Sequence, residues 1–180
     1  MQPWSHEPAG GLTGLEAHVR HLEDIEEIRG LRFKYHDFLN RSRFERMSEL
    51  YTDDARVRID YVASAEGKEE IHEFFLTIPR TLSFIKQFIH NHLVNVDGDM
   101  ASGVAYMDAR YAAEGQSLMV AGRFDEKYRR TTAGWRIADT FVTLYFSVPL
   151  SKGWAGAELH HIAPHDVVLR GGAALRPAGA

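Results

Sequence analysis

The sequence predicts an α+β domain in which N-terminal helices pack inside a curved, mostly antiparallel sheet. Three observations predict it. Apolar residues recur at spacings of three and four from Leu15 to Leu39. The period then switches to two at Ala55. The second half holds a run of alternating stretches separated by turn residues. Helices gathered at the start and hairpins gathered at the end do not fit an alternating parallel sheet.

The elements follow in order. Residues 1–14 are rich in Gly and Pro and read as a flexible arm, ahead of a domain over 15–155 and a Gly/Ala/Pro tail over 156–180. The first helix carries Leu15, Val19, Leu22, Ile25, Ile28, Leu31, Tyr35 and Phe38 on one stripe, with Glu23, Asp24, Glu26, Glu27, Arg29 and Arg32 assigned to the other face. A shorter helix follows, with Ser42 as N-cap, a stripe of Phe44, Met47 and Leu50, and an end at Thr52-Asp53-Asp54. Ala55, Val57, Ile59 and Tyr61 alternate with polar residues as a half-buried strand. Residues 67–80 return to helical spacing and stop at Pro79. Strands are predicted at 84–96, 100–113, 117–130 and 134–147, with Asp97-Gly98-Asp99 turning the first hairpin.

Composition excludes several functions. The chain has 180 residues, 44% of them hydrophobic, which suits one globular domain. With no cysteine there is no disulfide scaffold, thiolate nucleophile or Cys-ligated zinc. A net charge of −4 gives no reason to expect nucleic-acid binding. No apolar stretch is long enough for a membrane span, and the first residues do not read as a signal peptide, so a cytoplasmic protein is expected. Ten histidines stand against zero cysteines. Chemistry near neutral pH therefore falls to His, carboxylates and Tyr. A metal pair at His90 and His92 lacks an evident third ligand, and none is expected.

Three segments carry a family resemblance: IEEIRGLRFKYHDFLNRSRFERMSELYTDDARV, FIHNHLVNVDGDMASGVAYM and AGRFDEKYRRTTAGWRIADTFVTLYF. In this order they resemble the SnoaL-like branch of the NTF2-like superfamily over about residues 20–150. The resemblance implies a cone-shaped α+β fold enclosing a pocket. It also implies a homodimer or homotrimer, and a range of activities that includes dehydratases, ketosteroid isomerase and polyketide cyclases. RIDY at 58–61 is similar to a stretch of scytalone dehydratase, which makes Tyr61 a candidate. Tyr35 stands where the bile-acid dehydratase pattern has a catalytic Tyr. The family His on the strand before the hairpin corresponds to His90, with His92 as second choice on the same face by alternation. The Asp of the family's first helix is replaced by Asn40, with Asp37 one turn earlier. The dehydrochlorinase pattern has an Arg in the last strand where Thr140 stands here.

The expected reading is a cofactor-independent lyase or isomerase acting on a small hydrophobic, cyclic substrate. His90 or His92 serves as base, Tyr35 and Tyr61 stabilise the oxyanion, and Asp37 or Asp108 assists. Strict alternation points Asp108 outward, so a bulge would be needed to turn it in. Tyr111, Arg123, Met107, Phe141 and Asn40 are the expected substrate contacts. His36, adjacent to Tyr35 on the helix, is assigned to the surface or rim. Two alternatives belong to other classes. One is the small subunit of a ring-hydroxylating dioxygenase, suggested by the HxxN strand at 92–95 and the GW of the last hairpin. The other is a non-catalytic binder, suggested by Asn40.

Overall fold

The computed structural model describes residues 12–60 and 62–155. Helix α1 spans Leu12–Asn40 without a break at Gly30. A 3-10 helix at Phe44–Leu50 leads into β1 (Tyr51–Ile59) and the short β2 (Ala63–Glu66), and α2 spans Gly67–Thr81. Four long strands then form a meander: β3 (Phe84–Asp97), β4 (Met100–Ala113), β5 (Gln116–Thr131) and β6 (Gly134–Pro149). One sheet holds all six strands in the order β2-β1-β6-β5-β4-β3. Among the described strands the one parallel pair is β1 with β6. No helix of the described residues is long and apolar enough to cross a membrane.

The sheet curls around α1. Its inner face is the alternating set Ala105, Met107, Ala109 and Tyr111 on β4, with Leu118, Val120 and Phe124 on β5, all buried. Against it packs the stripe Ile28, Leu31, Tyr35, Phe38 and Leu39 of α1. The first turns of α1 behave differently. Leu15, Val19 and Leu22 keep the helical spacing but are exposed. They lie ahead of Asp24, which bonds the β5–β6 hairpin. There Arg130 grips the Asp24 carboxylate with both terminal nitrogens at 2.7 Å, and the Trp135 indole donates to it at 3.0 Å. The guanidinium beside it holds the Asp24 carboxyl below the usual range. The Trp135 backbone N–H donates to Glu27, and Gly134 (φ 89°) gives this carboxylate room, because a Cβ there would run into its Oε1.

The second helical segment is 3-10 rather than α, Ser42 adopts φ 58° instead of capping it, and the chain is already extended at Tyr51. Pro79 lies inside the last turn of α2 and does not end it. β2 is too short to show a sequence period, and its antiparallel pairing with β1 defines it. A bulge in β3 decides where the site forms. Ile89 pairs with Met107 and His92 with Ala105, so two residues of β3 oppose one of β4. The inward parity therefore moves from Ile85, Gln87 and Ile89 to His92, Val94 and Val96.

Candidate functional site

The cone holds a chamber of about 140 Å³. Its wall is largely apolar, including Ile85, Met107, Val120 and Phe124, and its polar groups come from Tyr35, Gln87 and Tyr111. Of the residues expected at the site, Tyr35, Tyr111 and Met107 meet here. Tyr111 already shares a 2.5 Å hydrogen bond with Ser147. Burial pushes the Tyr35 hydroxyl up to about 12, so at neutral pH it keeps its proton and can donate a hydrogen bond.

Other candidates lie elsewhere. His90 and His92 do not share a face, because the bulge separates them. His90 is exposed on the outer face and bonds Asp108 at 3.1 Å, with Asp108 pointing outward as strict alternation requires. Asp37 is half exposed and pairs with Arg41 on the helix surface. Arg123 pairs with Asp125 on the outer face at 2.8 Å, and Phe141 lies under Arg58 on that face. The Asn40 side chain is occupied: its Nδ2 donates to the Gln87 carbonyl and its Oδ1 accepts from the Gln87 amide, both at 2.8 Å. Tyr61 lies outside the described residues, as do the histidines of the two ends.

Behind Tyr35 and Phe124 lies a buried polar chain. Arg32, assigned by charge to the solvent face of α1, is fully buried. Its guanidinium lies 4.3 Å from the Tyr35 ring centroid and 4.0 Å from that of Phe124. It forms a two-pronged ion pair with Glu126, from Nε to Oε2 at 3.0 Å and from Nη2 to Oε1. Tyr128 donates to the same carboxylate at 2.6 Å and Thr140 at 2.9 Å. Four donors thus fill the lone pairs of Glu126. Burial opposes the charge on Arg32, but Glu126 outweighs it, and the guanidinium stays firmly protonated.

His92 extends the chain, its Nε2 lying 3.0 Å from the Tyr128 hydroxyl. Tyr128 has one proton and gives it to Glu126, so His92 must donate through Nε2–H. Its Nδ1 is then a bare lone pair, buried and without a hydrogen-bond partner. Gly103 makes this packing possible, since a Cβ there would sit 2.9 Å from His92 Nε2. His36, expected at the surface, is buried and packs edge-on to Tyr35 at 5.2 Å. Its Nδ1 lies 2.8 Å from the Arg32 carbonyl, which can only accept, so its Nε2 is also a bare and unpartnered lone pair.

Burial lowers His36 to about 3 and His92 to about 4, and both are neutral at pH 7. The unfolded chain takes up these protons near 6.5, so stability is full above that value and falls with pH below it. The expected loss is about 1.4 kcal/mol per pH unit for each histidine until the folded values are reached. Melting midpoints should be level above about pH 7 and drop between about pH 6.5 and 5, before most carboxylates titrate. A level midpoint through that window would contradict the assigned protonation states.

Two signals for this chain were present in the sequence. Arg32 stands four residues after Ile28 and three before Tyr35, within the apolar stripe. Glu126 shares the strand parity of Phe124 and Tyr128. Among the described residues no group of three or more His, Asp or Glu side chains is placed to hold a metal ion.

Residues 20–140 match the family described as SnoaL-like domain. An uncharacterized protein of Mycobacterium tuberculosis is 25% identical over 123 residues, covering 66% of this chain and 84% of that one. An NTF2-like protein with a cystatin-like fold from Novosphingobium aromaticivorans superposes with a TM-score of 0.64 at 28% identity, over 75% of this chain and 90% of that one. A putative scytalone dehydratase of the same organism gives 0.65 at 13% identity, over 75% and 91%. A hexachlorocyclohexane dehydrochlorinase of Novosphingobium barchaimii gives 0.69 at 16%, over 82% and 99%. The last two likenesses concern the fold.

Proposed function

The chain belongs to the SnoaL-like domain family, and from that premise we propose that it is a lyase or isomerase moving a proton on a small, mostly apolar ring compound. The observation that carries the reading is the bare Nδ1 of His92, held by the Tyr128–Glu126–Arg32 chain, whose Arg32 lies against the wall residues Tyr35 and Phe124. The chamber's size supports a one-ring ligand, since an apolar cavity of ~150 Å³ takes up benzene.

The reaction follows from these groups. His92 Nδ1 accepts a proton from the carbon next to a carbonyl, through one water, which general-base catalysis allows. The C–H electron pair becomes the enolate, and the Tyr35 hydroxyl donates a hydrogen bond to its oxygen. The imidazolium is stabilised through Tyr128 by the Glu126 carboxylate. The enolate then either expels a β-hydroxyl, which leaves as water with the proton from His92, or takes that proton back at another carbon. The first course is a lyase reaction and the second an isomerase reaction.

A second reading rests on a specific feature. Among the described residues no chamber-lining side chain is a carboxylate or an imidazole, which favours binding without chemistry. Turnover of six-membered β-hydroxy ketones, followed by absorbance of the conjugated product, separates the two. The proposal expects turnover that falls about 10²–10³-fold in Tyr35→Phe, the usual cost of an oxyanion donor. Saturable binding with no turnover would favour the binder.

A further inference from the structure

One buried polar atom in the chamber wall has no role in the scheme above. Gln87 is 8% exposed, and its Oε1 has no hydrogen-bond partner. Its Nε2 points to the Met107 sulfur at 3.0 Å. This contact sets the amide orientation: the thioether is only a weak acceptor, so NH₂ and not the carbonyl oxygen belongs there. The backbone of Gln87 is clamped on both sides by the Asn40 amide, at 2.8 Å to its N–H and 2.8 Å to its carbonyl. The result is a residue of the chamber wall whose backbone is fixed and whose acceptor is unmet.

An unmet buried acceptor is costly, and a group that meets it is selected. The other polar groups of the chamber have different tasks. The Tyr111 hydroxyl is engaged with Ser147, and Tyr35 offers a donor. Gln87 therefore brings to the chamber wall an unmet acceptor that a ligand's O–H or N–H can satisfy. We infer that Gln87 is a specificity residue and that the ligand is a ring compound bearing a hydroxyl or amine, not a plain hydrocarbon or a ligand with acceptors alone. This rests on the chamber being the ligand site, as proposed above, but not on the proton-transfer chemistry.

The test is binding of phenol, toluene and fluorobenzene to the full chain, followed by NMR on the Met107 methyl signal. These three probes have nearly the same size and differ in carrying a donor, neither group, or a weak acceptor. The inference expects phenol to bind about tenfold or more tightly than the other two. It expects that preference to vanish in Gln87→Met, with folding checked by thermal melting. If the three probes bind the wild type within twofold, or the preference persists in a folded Gln87→Met, the inference is wrong and the chamber remains a ligand site. If none of them binds, the chamber reading fails and the inference falls with it. Should Gln87→Met not fold, the wild-type ranking alone decides.

Discussion

Glu126→Leu is expected to destabilise the fold by about 3–5 kcal/mol, the cost of leaving a buried charge without its partner. Arg32 is fully buried, and the carboxylate is its ion-pair partner. The same substitution orphans the hydroxyls of Tyr128 and Thr140. At roughly 2–4 °C per kcal/mol for a chain of this size, the melting midpoint should fall by about 6–20 °C. The double variant Arg32→Met with Glu126→Leu should recover most of that loss, because removing both charges also removes the desolvation cost. Additive losses in the double variant would mean that the two side chains do not act as a pair. Full recovery of stability with loss of activity would show that the pair is kept for chemistry rather than for stability.

His92→Gln is the second large effect. The amide retains a donor toward Tyr128 but has no basic nitrogen. Turnover should fall about 10²–10⁴-fold, the usual contribution of a positioned general base. The wild-type profile of kcat/KM should lose activity on the acid side near pH 4, where burial places His92, and not near its ordinary 6.5. The sign follows from the role: the base must be unprotonated, and the lowered value keeps it so through neutral pH. Unchanged turnover in a folded His92→Gln would remove His92 from the mechanism.

The fold was legible in the sequence because its periods are long and clean. The hairpin turn at Asp97-Gly98-Asp99 and the meander strands fall within two residues of their expected ends. The site was less legible, for two physical reasons. Charge type misled on α1: Arg32 belongs to the apolar stripe by spacing, but a lone cation is normally solvated, and only Glu126, 94 residues away, makes its burial tolerable. Strict alternation misled on β3, where one extra residue turns His90 out and brings His92 in. Bulges leave no compositional mark, so the choice between two histidines two residues apart needed the register. Tyr35, Met107 and Tyr111 were legible because helix spacing and strand parity sufficed. Gln87 was not, because an inward polar residue on an apolar strand face reads as an exception until its neighbours are known.

The central claim is that the Arg32–Glu126–Tyr128 chain holds His92 as a neutral base with a free Nδ1. It is tested most directly by proton–nitrogen correlation NMR of the histidine side chains across pH. The account predicts that His92 carries its proton on Nε2 and stays neutral from pH 7 down to about pH 5, titrating near 4. A proton on Nδ1, or titration near the ordinary value of 6.5, would contradict it.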